Sequence, residues 1–270
     1  MSKIKKVFIV ILIIIIVIVC NCLGLNTRYK NRLKVTQITS NGCGYIFTTK
    51  KNNLVIVDGG NKNNTEKLMN IISEHDNLVT AWIVTSPEED KIGALCEIIR
   101  GVNDIRIHNL LNNLVFDDDW YDNLNISSDE IYKMKQNIDM IYNGRYRKSL
   151  VQIGRRAQYS FDNFFFTPLE INDTNSTEIS DQRIIYKVDN TFKNIILFND
   201  INENMANIFL ENDKDQFKNE AIYFYNSNSQ IVRDIIDKTK AKKVYTSEMV
   251  DGLNNRIIVS KDAEFSDEIW

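Results

Sequence analysis

Ala81-Trp-Ile-Val-Thr-Ser-Pro-Glu-Glu-Asp-Lys-Ile-Gly-Ala-Leu95 is the stretch on which the reading of this chain turns. Ala81 to Val84 is a short apolar run of the kind buried on both faces of a sheet. Thr85 to Asp90 is polar and contains Pro87. Ile92, Leu95, Ile98 and Ile99 then recur at helical spacing, and Gly101 closes the stripe. The order is strand, polar turn, helix start. Taken alone, Pro87-Glu-Glu-Asp90 is an ordinary helix N-terminus, because proline suits the first turn and acids suit the positive end of the helix dipole.

Before this stretch, Leu33 to Ile38 alternates as a strand, Asn41-Gly-Cys-Gly44 is a turn, and Tyr45 to Thr49 is a second strand. Lys50 to Asn53 makes a hairpin loop, and Leu54-Val-Ile-Val57 is a buried strand ending in Asp58-Gly-Gly60. A helix follows, capped by Asn64 or Thr65, with Leu68, Ile71 and Ile72 on one face. Beyond the stretch, Ile105 to His108 alternates and puts His108 at a strand end beside the central turn. Phe116 to Tyr121 reads as a solvated acidic-aromatic loop. Ser127-x-x-Glu130 matches a capping box ahead of a helix carrying Ile131, Met134, Ile138 and Ile141. From Leu150 the chain becomes strand-rich, with helices near 202–211 and 229–238 and a last strand at Arg256 to Val259. Two strand-rich halves, each followed by helices, predict an α+β fold: an αββα sandwich of two sheets with helices outside. No Pro/Gly/Ser-rich linker divides residues 35–270, so they form one expected domain.

Residues 1–25 read differently. Val7 to Val19 is wholly aliphatic or Phe, and the run extends to Leu25 with only Asn21 polar among the last residues. That matches the roughly 20 apolar residues that span a bilayer. The expectation is an uncleaved N-terminal transmembrane anchor, a basic linker at 26–34, and a single-pass protein of the cell membrane. A short tail stays inside, which puts the globular domain outside the cell. Residues 1–34 hold seven Lys or Arg and no acid, so 26 basic and 36 acidic residues remain, a net charge of −10 over 35–270. Such a surface is poorly suited to tracking phosphate backbones, and a nucleic-acid partner is not expected. Cys43 and Cys96 are expected as separate buried thiols, and only His75 and His108 supply imidazole.

Several segments, in order, resemble the metallo-β-lactamase superfamily, and within it the hydrolase-like domain of bacterial DNA-uptake channel proteins. They are Asn41-Gly-Cys-Gly-Tyr-Ile-Phe47, the strand ending in Asp58-Gly-Gly60, the central stretch, Leu197-Phe-Asn-Asp200, and Glu220-Ala-Ile-Tyr-Phe-Tyr-Asn226. The central stretch is similar to the family's Thr-His-x-His-x-Asp-His-Ile-Gly-Gly. The resemblance implies the sandwich and a metal-dependent hydrolase site. At its histidine positions, however, stand Ser86, Glu88 and Lys91, with Asp90 retained. Asp200 matches the metal-bridging acid, Asn226, or Tyr225 if the register slips by one, takes the place of a late histidine, and Asp58, Gly59 and Gly60 support the motif.

The family's zinc chemistry needs nitrogen or sulfur ligands. Glu88, Asp90 and Asp200 offer only oxygen, which would suit a hard divalent cation such as Mg²⁺ or Mn²⁺ better than Zn²⁺. Lys91 would compete with any such ion for the same carboxylates. The expectation is therefore no metal cofactor. The Lys91 ammonium stands in for the metal by pairing with Asp90, Asp200 or both, in a catalytically inactive protein with a binding or structural role. An active metallo-hydrolase with a carboxylate-rich site is the alternative.

Overall fold

Leu54, Val55, Ile56 and Val57 are all fully buried, because β3 (Leu54–Asp58) lies inside a sheet covered on both faces. The computed structural model describes residues 12–19, 33–38, 42–112, 114, 118–154, 156–162, 164–170, 185–189, 194–199, 201–212, 221–225, 229–239, 241–246, 257–259 and 265–269. β1 (Leu33–Ile38), β2 (Gly44–Thr49) and β3 form an antiparallel meander, and β4 (Leu78–Val84), β5 (Arg106–Asn112) and β6 (Leu150–Gln152) continue it in parallel. Parallel neighbours need crossovers. These are made by α2 (Thr65–Ser73), α3 (Glu89–Arg100), and α4 (Asp118–Asp122) with α5 (Ser128–Asn143). Residues 12–19 form a separate helix, α1.

The second sheet begins with the antiparallel strands β7 (Tyr159–Phe161), β8 (Phe164–Glu170), β9 (Ile185–Asp189) and β10 (Asn194–Asn199). It goes on in parallel through β11 (Ala221–Tyr225), β12 (Lys243–Thr246) and β13 (Ile257–Val259), with α6 (Glu203–Asn212) and α7 (Ser229–Thr239) as connections.

Alternation along the strands builds three apolar layers. Val55, Val57, Tyr45, Phe47 and Ile83 face Phe166, Val188, Leu197, Tyr223 and Tyr245 between the sheets. Phe47 meets Phe166 edge-on at 5.1 Å, and Tyr223 stacks on Tyr245 at 4.4 Å. Leu54, Ile56 and Trp82 turn outward to Leu68, Leu95, Ile98 and Ile138. Ile196, Phe198, Ile222 and Phe224 turn outward to Met205, Phe209, Val232 and Ile235. Helices cover the outer face of each sheet, so the expected αββα sandwich is the observed architecture.

The structure corrects the sequence reading in four places. β4 starts at Leu78, three residues before the expected strand, and β5 runs on to Asn112. His108 therefore lies near the start of its strand, exposed, and not beside the central turn. Asp118–Asp122 is helical, and Trp120 and Tyr121 are buried in the helical layer, because two rings in edge contact at 4.7 Å outweigh the neighbouring acids. The strand at 257–259 is not the last, since β14 (Phe265–Ile269) pairs antiparallel with β1 and takes the edge of the first sheet. The Ser127–Glu130 capping box is present, and Cys43 and Cys96 are buried thiols not joined in a disulfide. Of the expected anchor only α1 falls among the described residues. It is apolar throughout, with every side chain about half exposed. Among the described residues no helix is long and apolar enough to cross a membrane.

Candidate functional site

Strand register brings the first three motif segments to one end of the central strands of the first sheet. Ile38 pairs with Gly44 and Gly44 with Asp58, while Val57 pairs with Ile83, two residues before Thr85. Three loops meet there and are tied together through backbone. Cys43 N–H donates to the Asp90 carbonyl at 2.9 Å, Gly60 N–H to the Lys91 carbonyl at 3.0 Å, and Ala94 N–H to the Gly60 carbonyl at 3.1 Å. The approach demands glycine: Gly42 has φ +108°, and a Cβ there would lie 2.1 Å from the Asp90 carbonyl oxygen.

Asp58 is fully buried and adopts φ 59°, an uncommon conformation for a residue with a side chain. Its carboxylate accepts from Thr85 twice, from N–H at 2.8 Å and from Oγ1 at 2.7 Å. Its carbonyl accepts from Trp82 Nε1 at 2.6 Å. Asp58 thus holds the end of β3 to the start of the central turn, the loop-ordering role read from the sequence. Burial pushes its carboxyl up to about 7, against the Thr85 hydrogen bonds and the Lys91 ammonium, which favour the charged form. Tyr45 and Tyr186 are pushed well above the ordinary phenol range, by burial first and by the nearby Asp58 among their other neighbours.

In the central turn, Ser86 is buried and its hydroxyl donates to Glu88 Oε2 at 2.8 Å. Two of the three positions where the resemblance expects histidine are therefore bonded to each other. Glu88 is the N-cap residue of α3. The third position, Lys91, is fully buried, with its Nζ 3.5 Å from Asp90 Oδ2. The Asp90 side chain is 45% exposed, so this pair joins a buried cation to a carboxylate at the surface. Lys91 also acts on Cys43: burial pushes that thiol up to about 12, and the ammonium works in the opposite direction. The structure thus brings together Asp58, Gly59, Gly60, Ser86, Glu88, Asp90 and Lys91. Asp200 and Asn226 lie outside the described residues. They follow Asn199 and Tyr225, which pair with each other at the ends of the parallel strands β10 and β11.

The described residues of the site do not by themselves fit a resident metal. Ser86 is engaged with Glu88, and the other described donors are carboxylate oxygens and the Cys43 thiol, which burial pushes up to about 12, away from the thiolate that binds metal. An ammonium already lies beside Asp90. Two unit charges about 4 Å apart repel by roughly 4 kcal/mol at an effective dielectric near 20, and a dication would feel about twice that. Among the described residues no three His, Cys, Asp or Glu side chains converge as a metal-binding group. A groove of about 610 Å³, lined by Lys34, Thr48, Lys67, Glu74 and His75 among others, lies elsewhere, on the outer face of β1 and β2 against α2.

The sequence reading missed Thr85 and Asn137. Thr85 stands in the quoted stretch next to Ser86, but its two hydrogen bonds depend on a partner 27 residues away. Asn137 donates from Nδ2 to the Pro87 carbonyl at 3.0 Å and is buried in α5. Its signal was legible: it is a polar residue adjoining the stripe of Met134, Ile138 and Ile141.

No family model matches the sequence, and no curated protein matches it. Solved structures do match by fold. The metallo-beta-lactamase fold protein YhfI from Bacillus subtilis is 13% identical with a TM-score of 0.53, the alignment covering 88% of this chain and 100% of that one. A diphosphatase from the PhnP family is 12% identical with a TM-score of 0.53, covering 88% and 98%. A long form RNase Z from yeast is 11% identical with a TM-score of 0.51, covering 80% of this chain and 36% of its own. Identities this low speak to the fold, which is the metallo-β-lactamase fold.

Proposed function

We propose that this chain, which has the metallo-β-lactamase fold, is a membrane-anchored and catalytically inactive relative of the fold's hydrolases, with a binding or structural role outside the cell. One observation carries the reading. Lys91, at a motif position where the resemblance expects a metal ligand, is fully buried with its ammonium 3.5 Å from Asp90 and within electrostatic reach of Asp58. A fixed cation inside a group of acids satisfies them without a metal. It also puts a positive charge where a metal would activate water, the nucleophile such hydrolases use. The anchor rests on the apolar run 7–25 and on α1, which is apolar on all sides.

Elemental analysis of the purified full chain, with hydrolysis assays in added Mn²⁺, Mg²⁺ and Zn²⁺, tests the proposal. The expected result is substoichiometric metal and no turnover of phosphodiester or β-lactam substrates under any of the three. Metal-dependent turnover abolished by Asp200→Ala would overturn it in favour of a carboxylate-rich metallo-hydrolase.

A further inference from the structure

Among the described residues the two poles of the sandwich differ in charge, and β1, which follows the linker, starts at the basic one. β1 begins at Leu33 and runs toward Ile38, whose partner Gly44 pairs with Asp58. The candidate site therefore lies at the far end of β1 from the segment that leads to the apolar run. The starts of β3, β4 and β5 share the pole of Leu33. The second sheet is aligned the same way, because the turn between β7 and β8 meets the β2–β3 hairpin, where Lys51 lies 3.2 Å from Asp162. Strand directions then put the start of β12 at this pole too.

Consider the segments 33–34, 50–53, 74–77, 101–106, 144–149 and 241–243 at the tethered pole. Their exposed charged residues are nine Lys or Arg against three Asp or Glu. Segments 59–64, 85–90, 119–130, 153–158 and 201–203 at the opposite pole give two against six among the described residues. Helix dipoles favour part of this arrangement, since the crossover helices end at the tethered pole. They do not call for Lys50 and Lys51 on a hairpin or Lys243 at a strand start. Val102 stands among these basic residues fully exposed, at 106%. In a domain whose net charge is −10, a basic pole with an exposed apolar side chain is a local exception.

We infer that this pole is a membrane-docking surface: Lys51, Arg147, Lys148, Lys242 and Lys243, with Val102 among them, seat the domain on a bilayer containing anionic lipid and turn the candidate site away from the membrane. The inference rests on the anchor reading above. The eight residues 26–33 span no more than roughly 30 Å when extended at about 3.4 Å each, so the pole stays close to the headgroups. Attraction between basic residues and an anionic surface acts within a Debye length of about 8–10 Å, and salt weakens it.

The test uses the full chain with Cys20→Ser and Cys22→Ser, reconstituted into vesicles of phosphatidylcholine alone or mixed with phosphatidylglycerol. An environment-sensitive fluorophore is attached at Val102→Cys, or at Asn125→Cys on the exposed loop of the opposite pole. Flotation first reports the anchor, and quenching by headgroup-labelled lipid then reports docking. Floating protein should be quenched at position 102 on the mixed vesicles, much less on phosphatidylcholine or in high salt, and not at position 125. The combined variant Arg147→Glu, Lys148→Glu, Lys242→Glu, Lys243→Glu, with an unchanged circular dichroism spectrum, should still float and lose the quenching. Protein that floats without quenching at 102, or is quenched equally at both positions, overturns the docking surface and leaves the anchor standing. Protein that fails to float with either vesicle overturns the anchor and the docking with it.

Discussion

Lys91 and Asp58 define the site at the scale of single residues. Lys91→Met keeps the length and packing of the side chain and removes the charge that faces Asp90 and Asp58. Breaking a fully buried charge pair costs about 3–5 kcal/mol, but the Asp90 carboxylate left behind is 45% exposed and water can solvate it, so a smaller cost, about 1 kcal/mol, is expected in urea unfolding. A cost within experimental error would mean the ammonium is not part of the fold's electrostatics. Asp58 gives a second prediction. Its folded carboxyl keeps a proton up to about pH 7, whereas the ordinary value is 3.8, so the folded chain holds the extra proton between those values. The stability contributed by this group is complete below about pH 4 and is lost as pH rises through about 7. Asp58→Asn removes that titration, so its unfolding free energy relative to wild type should rise from pH 4 to pH 8. A flat difference would contradict the buried environment assigned to Asp58. Lys91 and Thr85 were legible to different degrees. Lys91 stood out because it replaces a residue type in an ordered motif. Thr85, which holds Asp58, did not, because its role appears only when β3 and β4 are laid side by side.

At the scale of elements, the site is a junction of three loops whose backbones approach within hydrogen-bond distance. Gly42→Ala forces a side chain into positive φ and into the Asp90 carbonyl. It should destabilise by more than about 1 kcal/mol, because alanine cannot hold this φ without strain, and should loosen the start of α3. Ser127→Ala removes a true capping box at the start of α5, outside the backbone hydrogen bonds that tie the junction, and should cost about 1 kcal/mol. Hydrogen exchange separates the two: the first should expose the Cys43 and Gly60 amides, the second only the first turn of α5. Equal protection of the junction in both variants would show that the loops are not coupled as described. The elements that the sequence revealed best were those with a local cause, such as the Ser127 cap and the β3 run. Helix α4 was read as a loop because its acids suggested solvent. Trp120 and Tyr121 instead fix it by packing into a layer contributed by distant segments.

At the scale of the whole molecule, the sandwich was legible from two strand-rich halves with helices after each. Its closure was not, because β14 belongs to the first sheet although it lies at the far end of the chain. Pairing across more than 220 residues leaves no trace in local pattern. Removing residues 265–270 should uncover the edge of β1, lower the urea midpoint and promote association through the bared strand; a monomer of unchanged stability would show β14 to be dispensable. The central claim concerns the ammonium that the fold encloses where a metal-binding motif is expected. Zinc titration of the full chain by calorimetry, beside the variant carrying Ser86→His, Glu88→His and Lys91→His, tests it most directly. Wild type should bind no stoichiometric zinc and the triple variant should bind about one ion per chain. Stoichiometric zinc in the wild type, lost on Asp90→Ala, would contradict the claim.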